Sequence, residues 1–237
     1  MTAFGSPHLH LRLADSTNER GRELAERGAT TGTVVTAAEQ SAGRGRRGRA
    51  WSAPAGRALL YSAILRPLGP EHALLPLAAP VAVCEAIEAV APVACAIKWP
   101  NDVWIAQRKV AGVLIEARPP EWAVIGIGIN VAIAEQDFPA DLRWPATSIG
   151  GGIEIDAVRD AVSLALGEWV EALETAVLDA FRDRDALSGR EVEWEASAIE
   201  AGRGVAAGID ERGNILVERE DGERLSLGSG EVSLRPG

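Results

Sequence analysis

Three features of the sequence predict an α+β fold, in which helices pack on a mixed β-sheet and a small β-barrel-like unit follows. Apolar, β-rich runs recur at residues 33–38, 58–65, 94–99, 110–117 and 122–131, the pattern of buried strands. One stretch, Asp156 to Asp179, repeats its apolar residues at the helical period. Beyond Gly189 the character changes to short alternating strands. A length of 237 residues suits one substantial domain with a small appendage, and the division is expected at residues 1–188 and 189–237.

Each element has its own signal. Ser16 and Glu19 form a capping-box pattern ahead of Leu24 and Ala25, with Gly28 as a stop, so a short helix is predicted. Thr33 to Ala38 and Ala58 to Leu65 read as core strands. Between them, Ser41 to Arg57 is loaded with Gly and Arg and lacks periodicity. It must be a long loop, and such loops in compact domains are usually functional or mobile. Glu71 to Val90 has helical composition, with Pro76 and Pro80 predicting a late start or a kink. Ala94 to Trp99, Val110 to Ala117 and Trp122 to Val131 should share one sheet. A long amphipathic helix with Val158, Val162, Ala165, Trp169, Leu173 and Val177 on one face should cover it. In the last unit, Leu216 to Glu218 and Leu225 to Leu227 flank Asp221-Gly222, a tight-hairpin signal.

Composition narrows the function classes. With 47% hydrophobic and 24% charged residues the chain can bury a core, which excludes a disordered tail. A net charge of -10 repels nucleic acid and anionic membrane unless positive charge is concentrated locally. Cys84 and Cys95 lie in apolar stretches without ligand spacing, so they read as buried small hydrophobes in a reducing compartment, and no metal site follows. The first residues lack a secretory signal and no apolar run is long enough to span a bilayer. A cytoplasmic protein is expected.

Among 24 Lys and Arg residues only Lys98 and Lys109 are lysines, and both fall in one short stretch. A lysine retained in an arginine-biased chain points to chemistry that needs an ammonium. The surrounding segment, Lys98-Trp99-Pro100-Asn101-Asp102 and then Lys109-Val110-Ala111-Gly112, reads either as a polar hairpin facing a ligand or as an ordinary hairpin with snorkelling lysines. The loop Gly43-Arg44-Gly45-Arg46-Arg47-Gly48-Arg49 ends at Trp51. Its glycines allow close backbone approach, its guanidinium groups suit carboxylate and phosphate, and Trp51 offers a flat face for a ring. A solvated basic loop and a nucleic-acid-binding arginine-glycine segment are the competing readings. Gly126-Ile127-Gly128-Ile129-Asn130 is an apolar strand whose glycines mark close approach and whose terminal Asn can meet a heterocycle edge.

Together these motifs resemble the biotin protein ligase family: STN at Ser16 to Asn18, EQSAGRGRRGRAW at Glu39 to Trp51, KWPND at Lys98 to Asp102, KVAGVLIE at Lys109 to Glu116 and GIGIN at Gly126 to Asn130. Glu231 to Arg235 is similar to the family's last strand. The resemblance implies a class II synthetase-like biotin/lipoate ligase fold with a C-terminal SH3-like barrel. It implies that biotin is activated by ATP to biotinyl-5'-AMP and passed to a lysine of a biotin carboxyl carrier protein domain of a carboxylase, with Mg²⁺ accompanying the phosphates and no protein ligand named for it. By resemblance Ser16, Thr17, Gln40, Gly43 and Gly112 meet biotin, and Arg44, Arg46 and Lys109 hold its carboxylate and the phosphates. Arg49, Trp51, Lys98, Asn101 and Asn130 fall to the nucleotide, and Asp102 orients a lysine or the acceptor amine. Some members carry an N-terminal DNA-binding domain, for which about 50 residues are needed. Only 15 residues precede Ser16, so the enzyme-only form without specific DNA binding is expected, as a monomer or a homodimer. A lipoate or octanoate ligase or transferase of the same fold is the nearest rival, followed by a nucleic-acid-binding module and a non-catalytic biotin-binding protein.

Overall fold

The computed structural model describes residues 3–140, 142, 144–196, 201–229 and 232–236. Strand β1 (His8–Leu11) comes first and was not expected. It pairs only with its neighbour at the sheet edge, so even Leu9 is 40% exposed and the apolar contrast that marks a strand is missing. Helix α1 (Thr17–Glu26) follows, and the chain leaves it through Gly28 at φ +90°. Ser16 sits at the N-cap but makes no side-chain capping bond, and the Glu19 carboxylate goes to Arg22 and Arg44.

Strands β2 (Val34–Ala37) and β3 (Ala58–Leu65) fall on the two expected core runs. The arginine-glycine segment between them is not structureless. Arg44 and Ala50 form a bridge, Trp51 N donates to Gly43 O at 2.9 Å, and a 3-10 turn at Arg46–Gly48 makes the tip of a small hairpin. Helix α2 (Leu75–Val90) starts late, with Pro76 in its first turn where no N–H partner is lost, and runs on through Pro80.

Next come β4 (Ala96–Lys98), β5 (Asp102–Ile105), β6 (Arg108–Arg118) and β7 (Trp122–Asn130). Strand β5 was not expected. It turns into β6 through Ala106 and Gln107, both at positive φ, the backbone of a two-residue hairpin without the Asn-Gly that usually announces it. The stretch read as one helix from Asp156 to Asp179 is two, α3 (Ile155–Trp169) and α4 (Glu174–Asp183). No Gly or Pro causes the break. The turn brings Val177, Leu178 and Phe181 into the core and leaves Leu173 76% exposed at the N-cap of α4.

The first seven strands form one mixed sheet, order β1-β2-β3-β7-β6-β5-β4, in which only β1 and β2 run parallel. Its two faces differ. Helices α2 and α3 bury one face in the main core, whereas α1 covers only part of the other, over Ile64, Trp122 and Val124. Beyond the N-terminus of α1 that second face stays open.

A second sheet is antiparallel, built from β8 (Glu191–Ala196), β9 (Gly202–Ile209), β10 (Ile215–Glu218), β11 (Arg224–Leu227) and β12 (Val232–Pro236), in the order β11-β10-β9-β8-β12. The Asp221-Gly222 hairpin joins β10 to β11 as expected, with Gly222 at φ +82°. Of the segment compared with a family's last strand, Glu231 lies outside the described residues. Trp99 Nε1 donates to Gly213 O at 3.0 Å, and Gly213 also lies against Leu77, so the second sheet rests on α2 and the β4–β5 turn. Among the described residues no helix is long and apolar enough to cross a membrane.

Candidate active site

The open part of the sheet is a cleft of about 590 Å³, between the N-terminus of α1, the arginine-glycine hairpin and the segment after β7. Ser16, Thr17 and Gln40 line one end. Gln40 Oε1 accepts from Thr17 N at 2.7 Å and lies 3.0 Å from Thr17 Oγ1, which leaves the Gln40 amide as a donor toward the hairpin. Below them Ser62, wholly buried on β3, lies 2.9 Å from Thr17 Oγ1 and 2.7 Å from Asn18 Oδ1. Asn18 packs so closely on β7 that a Cβ on Gly126 would come within 2.0 Å of its Oδ1.

The hairpin adds Arg44, Arg46, Arg49 and Trp51 to the lining of the cleft. Arg44 Nη2 is held by Glu19 Oε2 at 3.1 Å and Glu116 Oε2 at 3.0 Å. Arg46 Nη1 donates to Asn101 Oδ1 at 3.3 Å, and its Nη2 donates to Ser229 O of the second sheet. Burial lowers the Arg46 pKa, and the charges of Arg47 and Arg49 add to that while Asp102 opposes it. A guanidinium in that position gains from an incoming anion.

Trp51 lies flat on a floor of two glycines. Gly112 and Gly128 are register partners on β6 and β7, and a Cβ on Gly128 would meet Trp51 Cε2 at 2.4 Å. The strand glycines thus admit side chains, Asn18 at Gly126 and Trp51 at Gly128. The Trp51 Nε1 is buried with no hydrogen-bond partner within the protein. Lys109 Nζ stands 5.5 Å from the Trp51 ring centroid and pairs with Asp102 Oδ1 at 2.6 Å. The Lys109 backbone is clasped in turn, its N–H donating to Pro145 O at 2.8 Å and its carbonyl accepting from Thr147 N at 2.9 Å. Asn130, at the end of β7, donates through Nδ2 to Thr147 O at 3.0 Å.

Of the residues singled out in the sequence, two do not line the cleft. Gly43 supports the hairpin: a Cβ there would meet Trp51 O at 2.3 Å and Gln40 Nε2 at 2.6 Å. Lys98 is buried, 5.2 Å from the ring centroid of Trp144, and Trp144 rather than Lys98 faces the cleft. Asn18, Ser62, Glu116 and the wall of Phe138, Pro139, Leu142 and Trp144 were missed. Ser62 did leave a signal, as the lone hydroxyl facing α1 in an apolar strand; the wall lies in a segment without periodicity.

Comparison with known proteins shows the family. The profile of the biotin/lipoate A/B protein ligase family matches residues 11–130, and that of the biotin protein ligase C-terminal domain matches residues 187–235. The biotin--[acetyl-CoA-carboxylase] ligase of Paracoccus denitrificans is 34% identical over 232 residues, covering 91% of this chain and 95% of that protein. The bifunctional ligase/repressor BirA of Bacillus spizizenii is also 34% identical, over 92% of this chain and 71% of its own length. The structure of the Aquifex aeolicus biotin protein ligase in complex with biotin and ATP superposes with a TM-score of 0.85 at 30% identity, covering 98% of this chain and all of that one. On sequence, on fold and on both of its sheets, this chain belongs to the biotin/lipoate A/B protein ligase family.

Proposed function

We propose that the protein is a biotin protein ligase that joins biotin to ATP in this cleft and then transfers biotin to a lysine of a biotin carboxyl carrier protein domain. One observation carries the reading: Arg44, Arg46, Arg49 and Lys109 converge on a single cleft in a chain whose net charge is -10. A carboxylate and a triphosphate repel each other, so a site that joins them must supply concentrated positive charge in a fixed geometry.

In the first step a biotin carboxylate oxygen bonds to the α-phosphorus of ATP, the bond to the bridging oxygen of the β-phosphate breaks, and pyrophosphate leaves. In the second, the acceptor lysine amine attacks the acyl carbon, loses a proton and releases AMP. Lys109, aimed by Asp102, offsets the negative charge that gathers at the α-phosphate. Arg44 and Arg46 hold the carboxylate and phosphates, with Arg49 behind them. Ser16, Thr17 and Gln40 bind the far end of biotin, while Trp51, Asn101 and Asn130 take the nucleotide. The hairpin and the Phe138–Trp144 wall keep water from the mixed anhydride. Lys98 acts indirectly, through Trp144.

Magnesium is read as part of the ATP substrate. Asp102 is the carboxylate on the cleft wall among the described residues, and it is engaged by Lys109; no group of three metal-binding side chains occurs among those residues. An ion held by phosphates and its own waters fits that donor set. The same reading makes the protein cytoplasmic, its acceptor a carboxylase subunit, and specific DNA no partner of its acidic surface.

Labelled biotin, ATP and a recombinant carrier domain test the proposal. Label should enter the carrier's acceptor lysine, and lipoate or octanoate should not compete. Transfer of lipoate in preference to biotin would assign the cleft to the other branch of the family.

A further inference from the structure

We infer that Glu116 is a positioning residue that ties the two ends of the biotin site together, an inference that rests on the function proposed above. Glu116 stands on β6, outside the polar segments that mark the cleft. Its Oε2 accepts from Asn18 Nδ2 at 2.8 Å and from Arg44 Nη2 at 3.0 Å. Because the Asn18 amide nitrogen is committed to a carboxylate and to Leu114 O at 3.2 Å, its oxygen must face Ser62, which donates to it at 2.7 Å. With its own proton on Asn18, Ser62 accepts from the Thr17 hydroxyl at 2.9 Å, and Thr17 holds Gln40 through its backbone N–H at 2.7 Å. One continuous chain therefore runs Gln40–Thr17–Ser62–Asn18–Glu116–Arg44.

Both ends of that chain, Gln40 and Arg44, line the cleft, as does Asn18, while Ser62 is buried behind it. Linked hydrogen bonds polarise and orient one another, so a change at Glu116 reaches Gln40 as well as Arg44. Glu19 differs in this respect. It holds the same Arg44 nitrogen at 3.1 Å, but its other oxygen goes to Arg22, whose hydrogen bond keeps Glu19 ionised at lower pH than an ordinary glutamate. Two carboxylates on Nη2 fix the guanidinium by one corner. Its side chain is still 41% exposed, which leaves the remaining N–H groups open to a ligand. The carboxylates thus aim Arg44 without occupying it.

The test uses the full chain and pyrophosphate exchange into ATP, with biotin and ATP varied separately. Glu116→Gln keeps the size of the side chain but removes the charge that Arg44 and Asn18 share. It should raise the KM for biotin roughly tenfold, the scale of losing one charge-assisted hydrogen bond, and the KM for ATP by less, since the phosphates are also held by Arg46 and Lys109. Ser62→Ala breaks the same chain without touching Arg44 and should shift the biotin KM in the same direction; it also reads the chain if the Glu116 variant does not fold. Glu19→Gln, which leaves the chain intact, should move the biotin KM less than Glu116→Gln. Unchanged biotin KM in both Glu116→Gln and Ser62→Ala would overturn the inference, as would equal rises for biotin and ATP. A wild-type protein without biotin-dependent exchange would instead overturn the proposed function itself.

Discussion

Lys109 Nζ is 2.6 Å from Asp102 Oδ1, and Asp102 is only 5% exposed on the neighbouring strand. The carboxylate is anchored in the sheet, so the flexible lysine has a fixed aim into the cleft. Apart from Lys98, every other Lys or Arg position in this chain is arginine, and here a compact point charge fits a corner bounded by Trp51 and Gly112.

Lys109→Ala should therefore slow adenylate formation by at least about a hundredfold, the usual scale for losing one preorganised charge. Lys109→Arg should also be poor, since its fork crowds Trp51. Asp102→Asn keeps the ammonium but loses its aim, and a smaller loss, on the order of tenfold, is expected. Single-turnover formation of adenylate measures all three; near-normal rates for Lys109→Ala would remove the lysine from the reaction.

Protection of the arginine-glycine hairpin by ligand is the second expectation. Its tip, Arg46–Gly48, contains no buried residue, and Arg47 and Gly48 both lie at positive φ. Its like charges repel until an anion joins them. Trypsin should cut after these arginines in the free protein and much more slowly with biotin and ATP present. Cleavage indifferent to ligand would mean that the hairpin does not close on substrate.

Gly128→Ala should act through Trp51. The added Cβ would overlap the indole at 2.4 Å, and the strand that carries it is held between β3 and β6. Trp51 must then leave its floor, and the KM for ATP should rise about tenfold or more, the scale of losing a large stacked contact. Fluorescence of the site tryptophan should shift with it. An unaltered KM for ATP would take Trp51 out of nucleotide binding.

The second sheet is joined to the site through Arg46 and Ser229, and to α2 through Gly213. Gly213 sits at φ +79° with Leu77 Cδ1 2.9 Å from where a Cβ would stand, so Gly213→Val is strained twice over. Transfer to the carrier domain should fall about tenfold, with the melting temperature lower by several degrees. Full transfer activity in a stable variant would separate the second sheet from the reaction.

Residues that carry their chemistry openly could be read from the sequence. The apolar runs gave β2, β3 and β7, which are buried on both sides or nearly so, and β6, which keeps Val110, Ala111 and Val113 in the core. Two strands escaped: β1 leaves Leu9 exposed, and β5 hides behind Pro100 and an Ala-Gln turn. The long helix split because the core required Val177 and Phe181, a tertiary demand that no local residue announces. In the site, arginines, lysines and glycines stood out by type, whereas Glu116 and Ser62 are ordinary residues that matter through partners about 45 to 100 positions away.

Biotin-dependent exchange of labelled pyrophosphate into ATP reads the first step alone, at the cleft where Lys109, Arg44 and Arg46 meet. With the wild-type protein, label should enter ATP only when biotin is present, and lipoate, octanoate or DNA should not replace it. Lys109→Ala should abolish the signal while labelled biotin still binds. Exchange without biotin, or none in a folded wild-type protein that binds both ligands, would show that the cleft does not join a carboxylate to the α-phosphate.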